Sequence, residues 1–156
     1  MKKLIILLSL ISFNAIGAGT SSNTDDSSET SDQVITLYEL AEKHIDNQSY
    51  DKSLKLLKKI TKREDLGTKR ADIYNLLGFS YRKLENPDLD KSFAAYMMAI
   101  EIDPSHLGAH EYLGELYLMR DQKDKAVIIL KKLDQLAGSN TEEYRELKIA
   151  IDEYQS

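Results

Sequence analysis

A pattern of large and small residues returns along this chain at a nearly constant interval. It reads Tyr-x-x-Leu-Gly-x-x-Tyr at positions 74–81 and His-x-x-Leu-Gly-x-x-Tyr at positions 110–117. A weaker copy, Leu-x-x-Leu-Ala-x-x-His, lies at positions 37–44. Self-similarity of this kind is typical of repeat proteins, in which each unit stacks on the next because it cannot bury its own apolar face.

Each copy is followed by a second segment whose apolar residues recur at intervals of three and four, and this spacing predicts helices throughout. The first helix of each unit carries one very small residue, and the second helix carries a small partner. Two facing small residues let the helices approach closely, which offsets the cost of up to about 1 kcal/mol that glycine has in a helix. The predicted pairs are Ala41 with Ser53, Gly78 with Ser92, and Gly114 with Ala126.

These residues resemble the tetratricopeptide repeat, a 34-residue helix–turn–helix unit. The resemblance implies an all-α fold, a short α-solenoid of three helix–turn–helix repeats that ends in a C-terminal capping helix. Asn140 is expected to cap the N-terminus of that last helix. The expected units are repeats at about 34–67, 71–104 and 107–140 and a capping helix at 141–154.

The N-terminal 33 residues differ in composition from the repeats. Lys2 and Lys3 precede a short apolar run and a group of small residues, a combination typical of a secretory signal peptide. The apolar run is shorter than the ~20 residues that a membrane span needs, so no transmembrane span is expected in the mature chain. The expected organisation is a signal peptide at 1–18, a disordered Ser/Thr/Asp linker at 19–33 and a repeat domain at 34–156.

The composition argues against several functional classes. The chain has no cysteine, which excludes disulfides and thiolate metal sites. Its formal net charge of −5 is opposite to the basic footprint of nucleic-acid binders. No glycine-rich phosphate loop is present, and the serines cluster in the N-terminal linker, where no histidine and acid can be positioned to activate them. We therefore expect no enzyme activity, no cofactor and no nucleic-acid partner.

His106 and His110 have the i, i+4 spacing that zinc ligands use on a helix. The zinc-protease pattern that begins at His110 fails, because Gly114 stands where the second histidine is needed. His110 also occupies the aromatic position of the repeat. A packing role is therefore favoured over a metal site, and a metal remains the alternative.

In stacked repeats the first helices line an inner, concave face, where aromatic and methionine side chains suit a peptide or a partner helix. We expect this groove to bind a protein or peptide, with Tyr38, Phe79 and Met119 as apolar anchors. Charged side chains would orient the partner. The expected groove residues are Tyr38, Glu42, Asn75, Phe79, Arg82, Lys83, Glu111, Glu115, Leu118 and Met119.

The members of one subclass of groove binders resemble each other in a set of Lys, Asn and Arg side chains, which clamps the C-terminal carboxylate of a peptide. This chain lacks those residue types at the matching positions, so the resemblance does not imply a carboxylate clamp. The residues at those positions are Tyr38, Glu42, Leu76, Gly108 and Tyr112.

The sequence thus predicts a non-catalytic protein–protein interaction module of the bacterial cell envelope, in the periplasm, or secreted if the host has no outer membrane. An alternative function rests on a basic stripe, which could contact anionic envelope polymer or lipid. A charge run at this spacing is also the ordinary solvent face of an amphipathic helix. The stripe consists of Lys52, Lys55, Lys58, Lys59, Lys62 and Arg63.

Overall fold

A computed structural model describes residues 26–63 and 66–154, with side chains from Asp32 onwards. The expected signal peptide at 1–18 lies outside the described residues. A short 3₁₀ turn at Gly67–Lys69 precedes the second repeat. The α-helices are α1 Asp26–Asp46, α2 Tyr50–Ile60, α3 Arg70–Arg82, α4 Leu89–Ile102, α5 Leu107–Met119, α6 Lys123–Ala137 and α7 Glu142–Glu153.

The helices form three hairpins and a final single helix, which confirms the predicted all-α solenoid. α1 pairs with α2, α3 with α4, and α5 with α6. Successive hairpins stack because α2 packs on α3 and α4 packs on α5, and α7 covers α5 and α6 at the end of the array. Among the described helices, none combines the length and the apolar character needed to cross a membrane.

The first helix begins at Asp26, within the segment predicted to be a disordered linker. Residues 26–33 are helical, and residues 19–25 lie outside the described part of the chain. The side chain of Thr36 donates to the carbonyl oxygen of Asp32 at 2.9 Å, and Arg63 donates to Gln33 at 3.2 Å. The helical part of the chain therefore includes residues 26–33 of the segment that was predicted to be a linker.

The core runs along the array as three connected clusters. The first joins the first two repeats, with Leu57, Ile60 and Ile73 completely buried. The second lies between α4 and α5 around Tyr96 and Leu116, and the third joins α6 to α7. Burying a large apolar side chain stabilises the fold by about 1.5–3 kcal/mol. Each interface between repeats buries several such side chains and so contributes several times this stabilisation.

Gly78 allows the close approach that the sequence predicted in the second repeat. The hydroxyl of Ser92 donates to the carbonyl oxygen of Gly78 at 2.8 Å, which confirms that these two small residues face each other. The ring of Tyr96 occupies the remaining space. A Cβ atom on Gly78 would lie 2.6 Å from both Cδ1 and Cε1 of Tyr96, so glycine is needed here.

Gly114 is small for a different reason from the one predicted. The space beside it is filled by the two methyl groups of Leu147 on α7, and Ala126 is not among the atoms nearest to that space. The third repeat therefore uses its glycine to seat the capping helix. That helix is capped by Thr141, whose hydroxyl accepts from the backbone N–H of Tyr144, so the prediction of Asn140 as the N-cap was wrong by one residue.

We expect Gly78→Ala to lower the free energy of unfolding by about 1–3 kcal/mol, because the new methyl group would overlap a rigid, completely buried ring. Urea unfolding followed by circular dichroism measures the change. The control is Gly108→Ala, whose Cβ would lie 3.4 Å from Nδ2 of Asn75, near ordinary contact distance. This control should be as stable as the parent or more stable by up to about 1 kcal/mol, since alanine favours helix. Equal stabilities of the two variants would contradict the close-packing explanation.

Candidate functional site

A cavity of about 890 Å³ opens between the turn that follows α1, the helices α3 and α5, and the final helix α7. Its floor comes from α3 and α5, and its two ends come from the first hairpin and from α7. The lining residues are Ile45, Asp46, Gln48, Tyr50, Phe79, Arg82, Lys83, Tyr112, Glu115 and Glu146.

A second cavity of about 460 Å³ adjoins the first towards the end of the array. The two cavities share Arg82, Lys83 and Glu115, so we describe them together as the groove. This second part adds apolar surface and one more acid. Its further lining residues are Leu118, Met119, Ala150, Glu153 and Tyr154.

A row of aromatic rings crosses the groove from the first repeat to the third. Tyr50 meets Phe79 edge to face at 6.2 Å between centroids, and Phe79 lies 5.0 Å from Tyr112. Tyr112 in turn lies 6.1 Å from the buried Tyr96 of the core. Because each ring touches the next, the apolar floor of the groove is held in place by the core.

Arg82 sits beneath this row as a buried cation. Its side chain is 5% exposed and forms an ion pair with Glu115 across the second and third repeats. The guanidinium lies 5.6 Å from the ring centroid of Phe79 and 5.2 Å from that of Tyr112. Burial acts to lower the pKa of Arg82, but the neighbouring Tyr96 hydroxyl and the Glu115 carboxylate raise it more in sum, so the side chain stays charged.

Six of the ten predicted groove residues lie together in the groove. Phe79 and Met119 are accessible there, and Met119 is 45% exposed. Leu118 and Arg82 line it although they are largely buried, as parts of its floor. The six are Phe79, Arg82, Lys83, Glu115, Leu118 and Met119.

The other four predicted residues do not line either cavity. Tyr38 is 7% exposed and belongs to the core, so it cannot serve as an accessible anchor. Glu111, at 3% exposed, cannot steer a partner from the surface, and Asn75 is also buried. Glu42 is half-buried beside Tyr38, and burial raises the pKa of its carboxyl group although a hydrogen bond from Tyr38 opposes that shift.

The expected set of ten left out nine residues that line the groove: Ile45, Asp46, Gln48, Tyr50, Tyr112, Glu146, Ala150, Glu153 and Tyr154. Tyr50 begins a second helix, and only first helices had been assigned to the concave face. Tyr112 lies next to Glu111, so a rotation of the helix by one position exchanges the two. The signal for the α7 residues is their spacing, because Glu146, Ala150 and Glu153 share a face that adjoins the face of the buried Leu147 and Ile151.

The two histidines of α5 are occupied by structural hydrogen bonds. Nδ1 of His106 accepts from the backbone N–H of Ala109 at 3.1 Å and caps the helix, so the ring proton lies on Nε2, 3.2 Å from Asp72. Nε2 of His110 donates to the carbonyl oxygen of Pro104 at 3.0 Å. No cluster of three or more possible metal ligands occurs in the described ranges. The arrangement therefore supports packing and capping roles for this pair.

The basic stripe forms the outer face of α2. Lys52, Lys55, Lys59 and Lys62 are exposed, while Leu54, Leu57 and Ile60 of the same helix are buried, as in any amphipathic helix. The ammonium of Lys58 lies 5.0 Å from the ring centroid of Tyr81. Lys52 lines a smaller cavity that shares Gln48, Tyr50 and Lys83 with the groove, so one end of the stripe adjoins the groove. The other stripe residues line none of these three cavities.

No protein-family model matches the chain. Over 92 residues the chain is 34% identical to tetratricopeptide repeat protein 37 of Xenopus laevis, a match that covers 59% of this chain and only 6% of that protein. Among solved structures, the first tetratricopeptide domain of Spaghetti (RPAP3), bound to the HSP90 peptide SRMEEVD, matches 78% of this chain and 95% of its own at a TM-score of 0.66 and 16% identity.

A second solved structure is the Yersinia enterocolitica type III secretion chaperone SycD in complex with a peptide of the translocator YopD. It matches 78% of this chain and 88% of its own, with a TM-score of 0.64 and 19% identity. At these identities the likeness concerns the fold.

Burial lowers the pKa of His110, because the protonated ring would be poorly solvated. Within the described part of the chain, its Nδ1 has no hydrogen-bond partner. The neutral native side chain must take up a proton on unfolding at acidic pH. Its contribution to stability is therefore complete above its ordinary pKa of about 6.5 and is lost as the pH falls towards the lowered native value. We expect His110→Tyr, which copies Tyr74 of the second repeat, to reduce the loss of unfolding free energy between about pH 7 and pH 5. Urea titrations at several pH values measure this, and parallel curves for parent and variant would contradict it.

Proposed function

The chain is a tetratricopeptide repeat protein by fold, and we propose that it is a non-catalytic module that binds a peptide or partner protein in the groove. The observation that carries the proposal is the row of rings formed by Tyr50, Phe79 and Tyr112, which crosses three repeats within one open cavity. Aromatic side chains supply large contact areas at little cost in conformational entropy. A surface of this kind, fixed before binding, suits an extended segment or a helix of a partner.

Two structural neighbours support this proposal, because each of them was solved with a bound peptide. The Spaghetti (RPAP3) domain was solved with an HSP90 peptide, and SycD was solved with a peptide of YopD. Both share the solenoid architecture with this chain over more than three quarters of its length. The groove of this chain offers the same general kind of surface, a concave face built from stacked hairpins.

The chemistry of the groove supports binding rather than catalysis. Glu115 lines both cavities, and its carboxylate is paired with the buried guanidinium of Arg82. A general acid or base must reach the proton that it transfers, and this carboxylate is instead engaged with the floor of the groove. The histidines are engaged in capping and packing outside the groove.

We also propose that the protein acts in the cell envelope after export. The support is the sequence of residues 1–18, with its two lysines, apolar run and small residues. We expect the mature protein, purified from cells that produce the full chain, to begin after Gly17 or Ala18 and to fractionate with the periplasm. Intact-mass measurement and N-terminal sequencing test this. A mature chain that begins at Met1 would contradict export by a cleaved signal peptide.

The central prediction concerns Phe79. A random dodecapeptide library displayed on phage and selected on the immobilised protein should yield peptides whose affinity falls about tenfold or more in Phe79→Ala, because the variant removes the middle ring of the row. Fluorescence anisotropy measures the dissociation constants, and circular dichroism checks that the variant is folded.

The matched control is Phe93→Ala. Phe93 is also half-buried and also packs edge to face on a tyrosine, Tyr117 at 6.1 Å, but it does not line the groove. Its truncation should leave the affinity unchanged within about twofold, well below the effect of a lost hot spot. Binding that survives Phe79→Ala but disappears in Lys55→Glu/Lys59→Glu would support the basic stripe as the interaction surface instead.

A further inference from the structure

The groove carries more negative than positive charge. Four carboxylates line it, from Asp46, Glu115, Glu146 and Glu153, against two cations, from Arg82 and Lys83. The formal charge of the lining is therefore +2 − 4 = −2. In a concave surface with low-dielectric walls, the field of such a set is focused into the cavity.

Arg82 does not offset this charge for a partner. Its Nη1 is paired with Glu115, while Nε and Nη2 are shielded from solvent and have no hydrogen-bond partner among the residues that the structure describes. The flat faces of Phe79 and Tyr112 cover the guanidinium. An incoming carboxylate would therefore meet a cation that is already neutralised and enclosed. Arg82 acts as part of the floor and not as an anion receptor.

The remaining acids stand at the two ends of the groove. Asp46 ends α1, and Glu146 and Glu153 lie two turns apart on the side of α7 that faces the cavity. In the part of the chain that the structure describes, none of the three takes part in an ion pair. Among the described residues that line the groove, Lys83 is the only exposed base.

Apolar surface lies between these acids. The aromatic row ends near Asp46 at one side, and Met119, Ala150 and Tyr154 lie beside Glu153 at the other. Such a surface can take the apolar stem of a lysine or arginine against a ring while a carboxylate receives the charged end. An acidic side chain in the same place would face a like charge.

We propose that the groove selects a basic, amphipathic polypeptide segment, whose apolar side chains pack on Phe79, Tyr112 and Met119 and whose Lys or Arg side chains pair with Glu146, Glu153 and Asp46. This inference rests on the proposed function, because it names the chemistry of the segment that the groove would bind. It also means that a peptide rich in carboxylates is excluded by charge.

The test uses peptides selected on the full protein from the random dodecapeptide library, followed by synthetic pairs in which each Lys or Arg is replaced by Glu. We expect the selected peptides to be net positive and the Glu replacements to bind about tenfold more weakly or worse, with an affinity for the basic form that falls as salt is raised. A scrambled peptide of the same composition controls for attraction to the overall negative charge of the chain.

The variant Glu146→Lys tests the groove charge directly. It should weaken the binding of the basic peptides about three- to tenfold, because the reversed charge lies in the cavity wall. The difference in affinity between each Lys or Arg peptide and its Glu counterpart should become smaller. The matched control is Asp134→Lys, which makes the same change of net charge on the exposed side of α6. This control should leave the affinities within about twofold, since Asp134 is exposed and does not line the groove, and interactions between exposed charges are weakened by salt.

Three outcomes separate the two proposals. The first outcome is that binding depends on Phe79, but the selected peptides are acidic or bind equally well in their Lys and Glu forms. This outcome would overturn the preference for basic peptides and leave the proposed function standing. Equal effects of Glu146→Lys and Asp134→Lys would likewise overturn it, because the attraction would then be non-specific. If no selected peptide depends on Phe79, the proposed function and this inference fail together.

Discussion

The contact between the ring of Tyr96 and the backbone of α3 at Gly78 is the constraint on which the rest of the structure depends. Tyr96 is completely buried, and its ring lies where a Cβ atom on Gly78 would be. The same ring lies 6.1 Å from Tyr112, which lies 5.0 Å from Phe79. A single close approach in the core therefore fixes both the hairpin of the second repeat and the position of the aromatic rings in the groove.

Most of the fold could be predicted from the sequence because its signal is local. Intervals of three and four place the apolar faces, and a glycine inside a helix indicates a neighbour that needs the space. The signal is weaker wherever the neighbour comes from another unit. The repeat pattern pairs Gly114 with Ala126 in its own hairpin, but Leu147 of the capping helix fills the space, and nothing in the local pattern encodes that contact. The start of α1 at Asp26 was missed because polar residues at a helix start and in a linker have similar compositions.

The groove was predictable only in part, because its lining depends on rotations and on tertiary contacts. The central residues, Phe79, Arg82 and Glu115, follow from the repeat register. Glu111 and Tyr112 show the limit of that reasoning, since neighbouring residues on a helix differ by about 100° and the register alone did not decide which of the two faces the cavity. One end wall is formed by the last residues of α1 and the turn that follows, and the other by α7. A pattern based on first helices includes neither the turn nor α7.

The capping helix links the stability of the array to the chemistry of the groove. Leu147 and Ile151 cover the end of the core, and Glu146, Ala150 and Glu153 on the adjoining face of the helix line the groove. Substitutions that change the apolar face would uncover the third repeat, whereas those on the other face leave the core intact and alter only the charge that a partner meets. The buried ion pair between Arg82 and Glu115 complements this arrangement. Such a pair adds little net stability in general, but it holds α3 and α5 in one relative position, so the groove is formed before a partner arrives and less conformational entropy is lost on binding.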